Sequence, residues 1–400
     1  MRLFNTQSQQ VEELVVNEGH VGLYVCGVTP YDTTHVGHAF TFLAFDILVR
    51  YLRDQGERVT YVQNVTDIDD DILRKAKEVG LTWDELGKRE TARFRQEMRD
   101  LNALDPDHYL AATGHIPEIV ALVETLLAKG LAYESGGNVY FSVARDQEFG
   151  KLSHLPRPEM LPIANERGND PDDPKKQDPL DFVLWQAGAE GEPTWPSPWS
   201  AGRPGWHIEC SAMSTSVLGP TIDIHGGGYD LIFPHHECEI SQSEHATGVK
   251  PFVRYWMHAA MVDYQGEKMS KSLGNLVLVR DVLNSYRGDA LRLYLLSNHY
   301  RESWEYQDEE IERWASVAND LREAVEFPAY GIGDILDVTR DRDLCRAALD
   351  DDLDTPRAIE HIQAIGQAIL EAPEDDDIRG AQRELKALGA LIGLDFQQPV

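Results

Sequence analysis

The sequence predicts an α/β protein: a parallel sheet built in two halves, a subdomain inserted between them, and a helical bundle at the carboxyl end. Three observations predict it. A strand, a helix and a second strand follow one another within residues 21–62, the spacing of a βαβ unit. A polar, proline-broken stretch then interrupts the pattern before strand-like runs resume. From residue 305 onward, apolar residues recur at helical spacing in an acidic background. The expected boundaries are 1–105 for the first half of the sheet domain, 106–195 for the insertion, 196–300 for the second half and 301–400 for the helical part.

Residues 21–25 are apolar and form the first strand. Residues 40–54 form a helix whose apolar positions are Phe42, Leu43, Phe45, Ile47, Leu48, Tyr51 and Leu52. The strand 58–62 ends in an acidic turn, 64–71, that opens a helix. Asp69, Asp70 and Asp71 suit capping and the positive end of the helix dipole, while Thr66 and Asp67 stand where a ligand is within reach. An amphipathic helix is expected over 116–129, a hairpin over 131–133 and 138–143 around Gly136 and Gly137, and a loop over 165–177. The run 178–185 begins the second half, which continues through 204–210 and 223–230 to a helix opened by 233–239; 258–262 is its last strand. In the tail, Leu344, Ala347 and Leu349, then Ile359, Ile362 and Ile365, mark the core face of a small bundle, and Cys345 reads as core.

A chain of 400 residues implies two or three domains. No apolar run reaches the ~18 residues of a membrane span, and the amino terminus lacks the pattern of a signal peptide. Four cysteines make no disulfide framework, so a reducing cytoplasm is expected. With 68 acidic against 37 basic residues, the formal charge of −31 argues against a broad nucleic-acid footprint, although a local basic patch is compatible with it.

The chemistry concentrates in residues 24–39, YVCGVTPYDTTHVGHA. Cys26 stands at a strand tip. Thr33 or Thr34 is the expected N-cap of a helix that carries His35 and His38 on one face of its first turn. Such a strand-to-helix turn is an anion site, because unpaired N–H groups and the helix dipole face the loop. Gly37 lets a ligand approach the backbone. Far downstream, Lys268 and Lys271 lie on a loop bounded by Gly266 and Gly274. Together with the histidines they form two sides of a clamp able to stabilise negative charge on a phosphate group. Gly226, Gly227 and Gly228 allow a flat ring or ribose to come close, and Asp230 can accept from a ribose hydroxyl. Cys26, Cys210, His235 and Glu239 are the candidate metal ligands, His235 and Glu239 being one helical turn apart. Cys238 is a spare donor. Zinc held by this set would prefer a substrate thiolate to a hydroxyl.

The pair formed by His35-Val36-Gly37-His38 and Lys268-Met269-Ser270-Lys271-Ser272, in that order, resembles the HxGH and KMSKS motifs of class I aminoacyl-tRNA synthetases and their relatives. Over nearly its whole length the chain is similar to the cysteine-activating branch of that superfamily, which comprises cysteinyl-tRNA synthetase and the cysteine ligase of mycothiol biosynthesis. The resemblance implies a Rossmann-like catalytic domain, one zinc ion, ATP with magnesium and L-cysteine as substrates, and a cysteinyl-adenylate intermediate. It implies that Cys26, Gly27, Val28, Thr29, Thr41, Asn64, Val65, Thr66, Trp206, Gly228, Tyr229, Asp230 and Val262 contact the adenylate, and that zinc sits on Cys26, Cys210 and His235. Between the branches, Val28–Asp32 with Thr34–His38, Glu166-Arg167-Gly168-Asn169-Asp170-Pro171 (one change, at Asn169, from an ERGGDP pattern), residues 275–279 and residues 351–356 resemble the ligase. So does the position at which the chain stops. Glu239, Asp223-Ile224-His225 and Ser272-Leu273-Gly274-Asn275 resemble the tRNA synthetase. The expected acceptor is therefore the amine of glucosaminyl-inositol, with tRNA as the alternative, and the expected state is a monomer with no membrane partner.

Overall fold

A computed structural model describes residues 1–396 apart from 17–18, 32–33, 270–272 and 330. Lys271, Thr33 and most of the KMSKS motif lie outside the described residues. The chain opens with a hairpin, β1 (Arg2–Asn5) and β2 (Gln10–Glu13), and then enters the central sheet at β3 (His20–Val28). Helix α1 (Val36–Asp54) crosses to β4 (Arg58–Val65), and α2 (Asp70–Val79) with α3 (Trp83–Asp100) crosses to β5 (His108–Ala111). Both strands run three residues further than their apolar cores at 21–25 and 58–62 suggest. These extra residues carry the site.

The insertion follows as α4 (Ile116–Ala128), the hairpin β6 (Ala132–Ser135) and β7 (Asn138–Phe141), α5 (Arg157–Glu166), β8 (Phe182–Ala187) and β9 (Gly202–Pro204). The helix and hairpin form where expected. Asn165 and Glu166 close α5 rather than opening the loop. The run expected to begin the second half instead becomes β8, which pairs antiparallel with β7 and β9 in the order β6-β7-β8-β9, so that this sheet continues to Pro204.

The chain returns to the central sheet through α6 (Trp206–Leu218), β10 (Ile222–Gly228), α7 (Glu237–Thr247) and β11 (Val253–Ala259). The sheet has the order β11-β10-β3-β4-β5 and is parallel throughout. The last expected strand, 258–262, divides. β11 stops at Ala259, Ala260 donates its N–H to Tyr300 O, and β12 (Val262–Tyr264) starts a separate small sheet with β13 (Glu267–Lys268). Past α8 (Val279–Leu283) and α9 (Gly288–Leu296), β14 (Trp304–Glu305) joins that sheet parallel to β12.

Helices α10 (Glu310–Glu326), α11 (Thr339–Asp350), α12 (Thr355–Leu370) and α13 (Arg379–Leu391) form the carboxyl bundle. Ile359, Ile362 and Ile365 are buried as expected. On α11, Cys345 and Leu349 face the core as expected, but Ala348 does so in place of Ala347, which is exposed, and Leu344 is half-buried. Helix α1 is buried on nearly every side because it lies between the central sheet and α9 and α13; this explains why its apolar residues exceed a single stripe. Among the described residues no helix is long and apolar enough to cross a membrane.

Candidate active site and metal centre

Strand order reverses between β3 and β10. From β3 the chain proceeds outward to β4, and from β10 outward on the other side to β11. A crevice opens at the carboxyl ends of the strands at such a point. The expected site residues on the central strands lie there: Cys26, Gly27 and Val28 end β3, Asn64 and Val65 end β4, and Gly228 ends β10. The β3–β4 register shifts between Val25 and Val28, an irregularity that re-aims the tip carrying Cys26. Gly27 is required there. A Cβ at this position would stand 1.7 Å from Asn64 O, and the Gly27 N–H donates to Asn64 Oδ1 at 2.8 Å.

Helix α1 begins at Val36 with His35, not Thr34, as N-cap. The Val36 N–H donates to Val277 O and Thr34 O accepts from Val279 N, an exchange that pins the segment following the KMSKS motif to the HxGH turn. The rings of His35 and His38 stack with centroids 3.8 Å apart. Val262 approaches the Gly37 backbone, and Thr41 approaches Gly228. Lys268 Nζ lies 3.7 Å from Asp230 Oδ2, across the crevice mouth. Tyr229 is exposed at the same mouth. Thr66 is buried at the end of β4. Asp67 does not face the crevice; it accepts from Thr113 N and Oγ1 at 2.9 and 2.6 Å and so anchors the start of the insertion. Asp69 caps α2 by accepting from Ile72 N.

Beneath the crevice lies the candidate metal centre. One donor atom from each of Cys26, Cys210, His235 and Glu239 falls within 4.8 Å of the others, and all four residues are buried. The Cys26 and Cys210 sulfurs are 3.7 Å apart, Cys26 Sγ is 3.5 Å from Glu239 Oε1, and His235 Nε2 is 3.1 Å from the same oxygen. Strand tip β3, helix α6, a kinked turn over Ile232–His236 in which Phe233 is extended, and the start of α7 supply them. Burial pushes both thiols up and His235 well down. The imidazole is thus in its neutral, ligating form, while the thiols need a cation to become thiolates. Two thiols, an imidazole and a carboxylate in one buried pocket fit a thiophilic divalent ion. Cys238 is not part of the group; it packs into the apolar core of the insertion.

Further histidines escape the sequence reading, and two of them make a second donor set with the same partners: one atom from each of Cys26, His225, His236 and Glu239 also lies within 4.8 Å of the others. His225 Nε2 is 2.9 Å from Glu239 Oε2 and fixes that carboxylate. His236 Nε2 lies 3.3 Å from Cys26 Sγ, with its Nδ1 2.7 Å from His258 Nε2, and His258 Nδ1 meets Thr6 Oγ1. His207 Nδ1 lies 2.9 Å from His235 Nδ1, which leaves Nε2 turned towards Glu239. Trp206 stacks on His235 with centroids 4.3 Å apart and roofs the centre with a half-exposed indole. Arg167, from the 166–171 loop, donates to Asp230 O and Phe233 O, so the insertion grips both ends of the turn between the crevice and the donor His235. A cluster of histidines at strand and helix ends was the available signal for them.

The chain has relatives among known proteins. Residues 12–316 match the family described as the tRNA synthetases class I (C) catalytic domain. The cysteine–tRNA ligase of Dehalococcoides mccartyi is 44% identical over 402 residues, covering 99% of this chain and 86% of that protein. The L-cysteine:1D-myo-inositol 2-amino-2-deoxy-alpha-D-glucopyranoside ligase of Thermomonospora curvata is 44% identical over 377 residues, covering 93% and 89%. Among solved structures, Mycobacterium tuberculosis methionyl-tRNA synthetase in complex with methionyl-adenylate shares the fold at a TM-score of 0.66 and 15% identity, over 93% of this chain and 88% of that one. The chain therefore belongs to the family of class I (C) tRNA synthetase catalytic domains.

Proposed function

We propose that this chain is a zinc-dependent cysteine ligase, which condenses L-cysteine with ATP to cysteinyl-adenylate and transfers the cysteinyl group to the amine of glucosaminyl-inositol. The observation that carries the activation step is the buried Cys26, Cys210, His235 and Glu239 group under the adenylate crevice. Zinc bound there would hold the substrate thiol as thiolate, a soft ligand that a serine hydroxyl cannot imitate. The remaining steps belong to the protein. Trp206 and the ends of β3 and β4 enclose the amino acid, and Gly228 with Asp230 receives the ribose. His35, His38, Lys268 and Lys271 oppose the negative charge that builds on the phosphates when the cysteine carboxylate attacks the α-phosphorus and diphosphate leaves. ATP would arrive with magnesium. The acceptor amine then attacks the cysteinyl carbonyl and AMP departs. Four free, buried cysteines suit a cytoplasmic setting.

Two observations favour the amino-sugar acceptor: the strongly acidic balance of the chain, which disfavours a broad RNA contact, and the reach of Arg167 from the 166–171 loop to the crevice. Transfer to tRNA remains as a second reading because a cysteine–tRNA ligase aligns with 99% of the chain and Glu239 joins the donor group. An acceptor competition tests the choice: protein, ATP and cysteine are offered glucosaminyl-inositol or cysteine-accepting tRNA, and cysteinylated product is followed by mass. Product with the amino sugar alone is expected; product with tRNA alone overturns the acceptor assignment. For the activation step, Cys210→Ser should lower zinc content and cysteine-dependent diphosphate exchange together by at least about 100-fold. Normal exchange in that variant would remove zinc from the reaction.

A further inference from the structure

On the far side of the small sheet a second concavity, of about 410 Å³, opens between α9, β14, α10 and α12. Its volume is in the range of small-molecule sites. It is separated from the adenylate crevice by packed rings, since Trp304 on its wall meets Phe40 of α1 edge-on at 5.6 Å. Tyr294, Trp304 and Trp314 give it aromatic surfaces, and Asn298, Gln307 and Gln363 give it amides. The indole Nε1 of Trp304 is buried without a hydrogen-bond partner, a donor for which the protein supplies no acceptor. The lining charges are unbalanced. Arg313 is committed to Glu310 at 3.2 Å and lies over the Trp314 ring, while among the described residues neither Glu305 nor Glu360 has a cationic side chain as ion-pair partner.

Aromatic faces stack on the C–H faces of a sugar or cyclitol ring and attract cations, amides pair with hydroxyls in either direction, and excess carboxylates reject phosphates. We propose that this groove is a second binding site, separate from the catalytic crevice, for a hydroxylated amine of sugar size, and that its occupancy is felt at the Lys268 hairpin through Glu305. The link is a single residue. Glu305 Oε1 accepts from Gly266 N at 2.8 Å, in the turn between β12 and β13, and Lys268 of β13 faces Asp230 across the crevice mouth. A ligand amine drawn to the Glu305 carboxylate competes for that bond. The inference does not depend on the acceptor proposed above.

Calorimetric titration of the full chain with glucosamine, glucose and spermidine tests it. Glucosamine should bind, glucose about tenfold more weakly because it lacks the charge, and Glu360→Gln should weaken glucosamine about fivefold while leaving cysteine-dependent diphosphate exchange unchanged. Glucosamine bound in the catalytic crevice would be indifferent to Glu360→Gln, and that result overturns the groove assignment. So would equal binding of glucose and glucosamine, tighter binding of spermidine, or no binding at all. Saturating glucosamine should also change the rate of tryptic cleavage after Lys268 in the wild type but not in Glu360→Gln; an unchanged wild-type rate overturns the coupling.

Discussion

Asp69 shows how one side chain can be locally favourable and still costly. It caps α2 through Ile72 N, yet burial, reinforced by Asp71 and Asp70, pushes its carboxyl up to about 6 against the pull of the cap bond and of Arg203. In the unfolded chain the same group titrates near its ordinary value of about 3.9. Between these values the folded protein holds a proton that the unfolded chain has released. Its contribution to stability is therefore full below about pH 4, falls as pH rises towards about 6 and stays low above that. Asparagine retains a capping oxygen without the charge. Asp69→Asn is expected to raise the melting temperature at pH 7.5 by about 2 °C and to leave it unchanged near pH 4. A lower melting temperature at pH 7.5 would show that the charge, not only the oxygen, stabilises the helix.

Among the elements, the turn between β10 and α7 has the most depending on it, since it carries Gly228, Tyr229, Asp230 and the donor His235. The grip of Arg167 on Asp230 O and Phe233 O satisfies two backbone carbonyls that the turn itself leaves over. Asn169 supports the loop by donating to Asn165 Oδ1 and Pro179 O and accepting from Lys176. Arg167→Ala should raise KM for ATP about tenfold with a smaller loss in kcat and little change in bound zinc; loss of zinc with unchanged KM would place its role at the metal centre instead. In the sequence that stretch reads as a polar loop and a motif. Its target was not legible, because the carbonyls it holds lie more than sixty positions away and are brought near by folding. The capping of α2 by Asp69 was legible, because cap and helix are neighbours. On α11 Cys345 and Leu349 were legible as core, but adjacent Ala347 and Ala348 are alike in sequence, and only packing against α12 and α13 selects Ala348.

At the scale of the whole molecule, the catalytic sheet and the carboxyl bundle are joined through Arg292. Fully buried, its guanidinium donates to Asp46 of α1, to Leu101 O and to Ile392 O just past α13. Burial alone would push the Asp46 carboxyl up; Arg292 and Arg50 outweigh it and hold the group below the usual range. Removing one partner strands a buried charge, so Arg292→Met should cost about 3–5 kcal/mol in urea unfolding. Asp46→Leu combined with Arg292→Met should recover part of that loss. An unchanged unfolding midpoint in the single variant would mean that the bundle and the sheet are held together elsewhere.

The sequence by itself determined the α/β class, the family resemblance, the two nucleotide motifs and the four candidate metal donors, because periodicity, local caps and short motifs are written in neighbouring residues. Only the tertiary structure decided that the four donors share one buried pocket at the strand-order reversal, that His225, His236 and His258 stand around it, that Asp67 and Cys238 face elsewhere, and that the segment following Lys268 is pinned to the first turn of α1. Those placements depend on which strand ends adjoin and how each strand tip turns. They are set by the packing of distant segments, which no local pattern encodes.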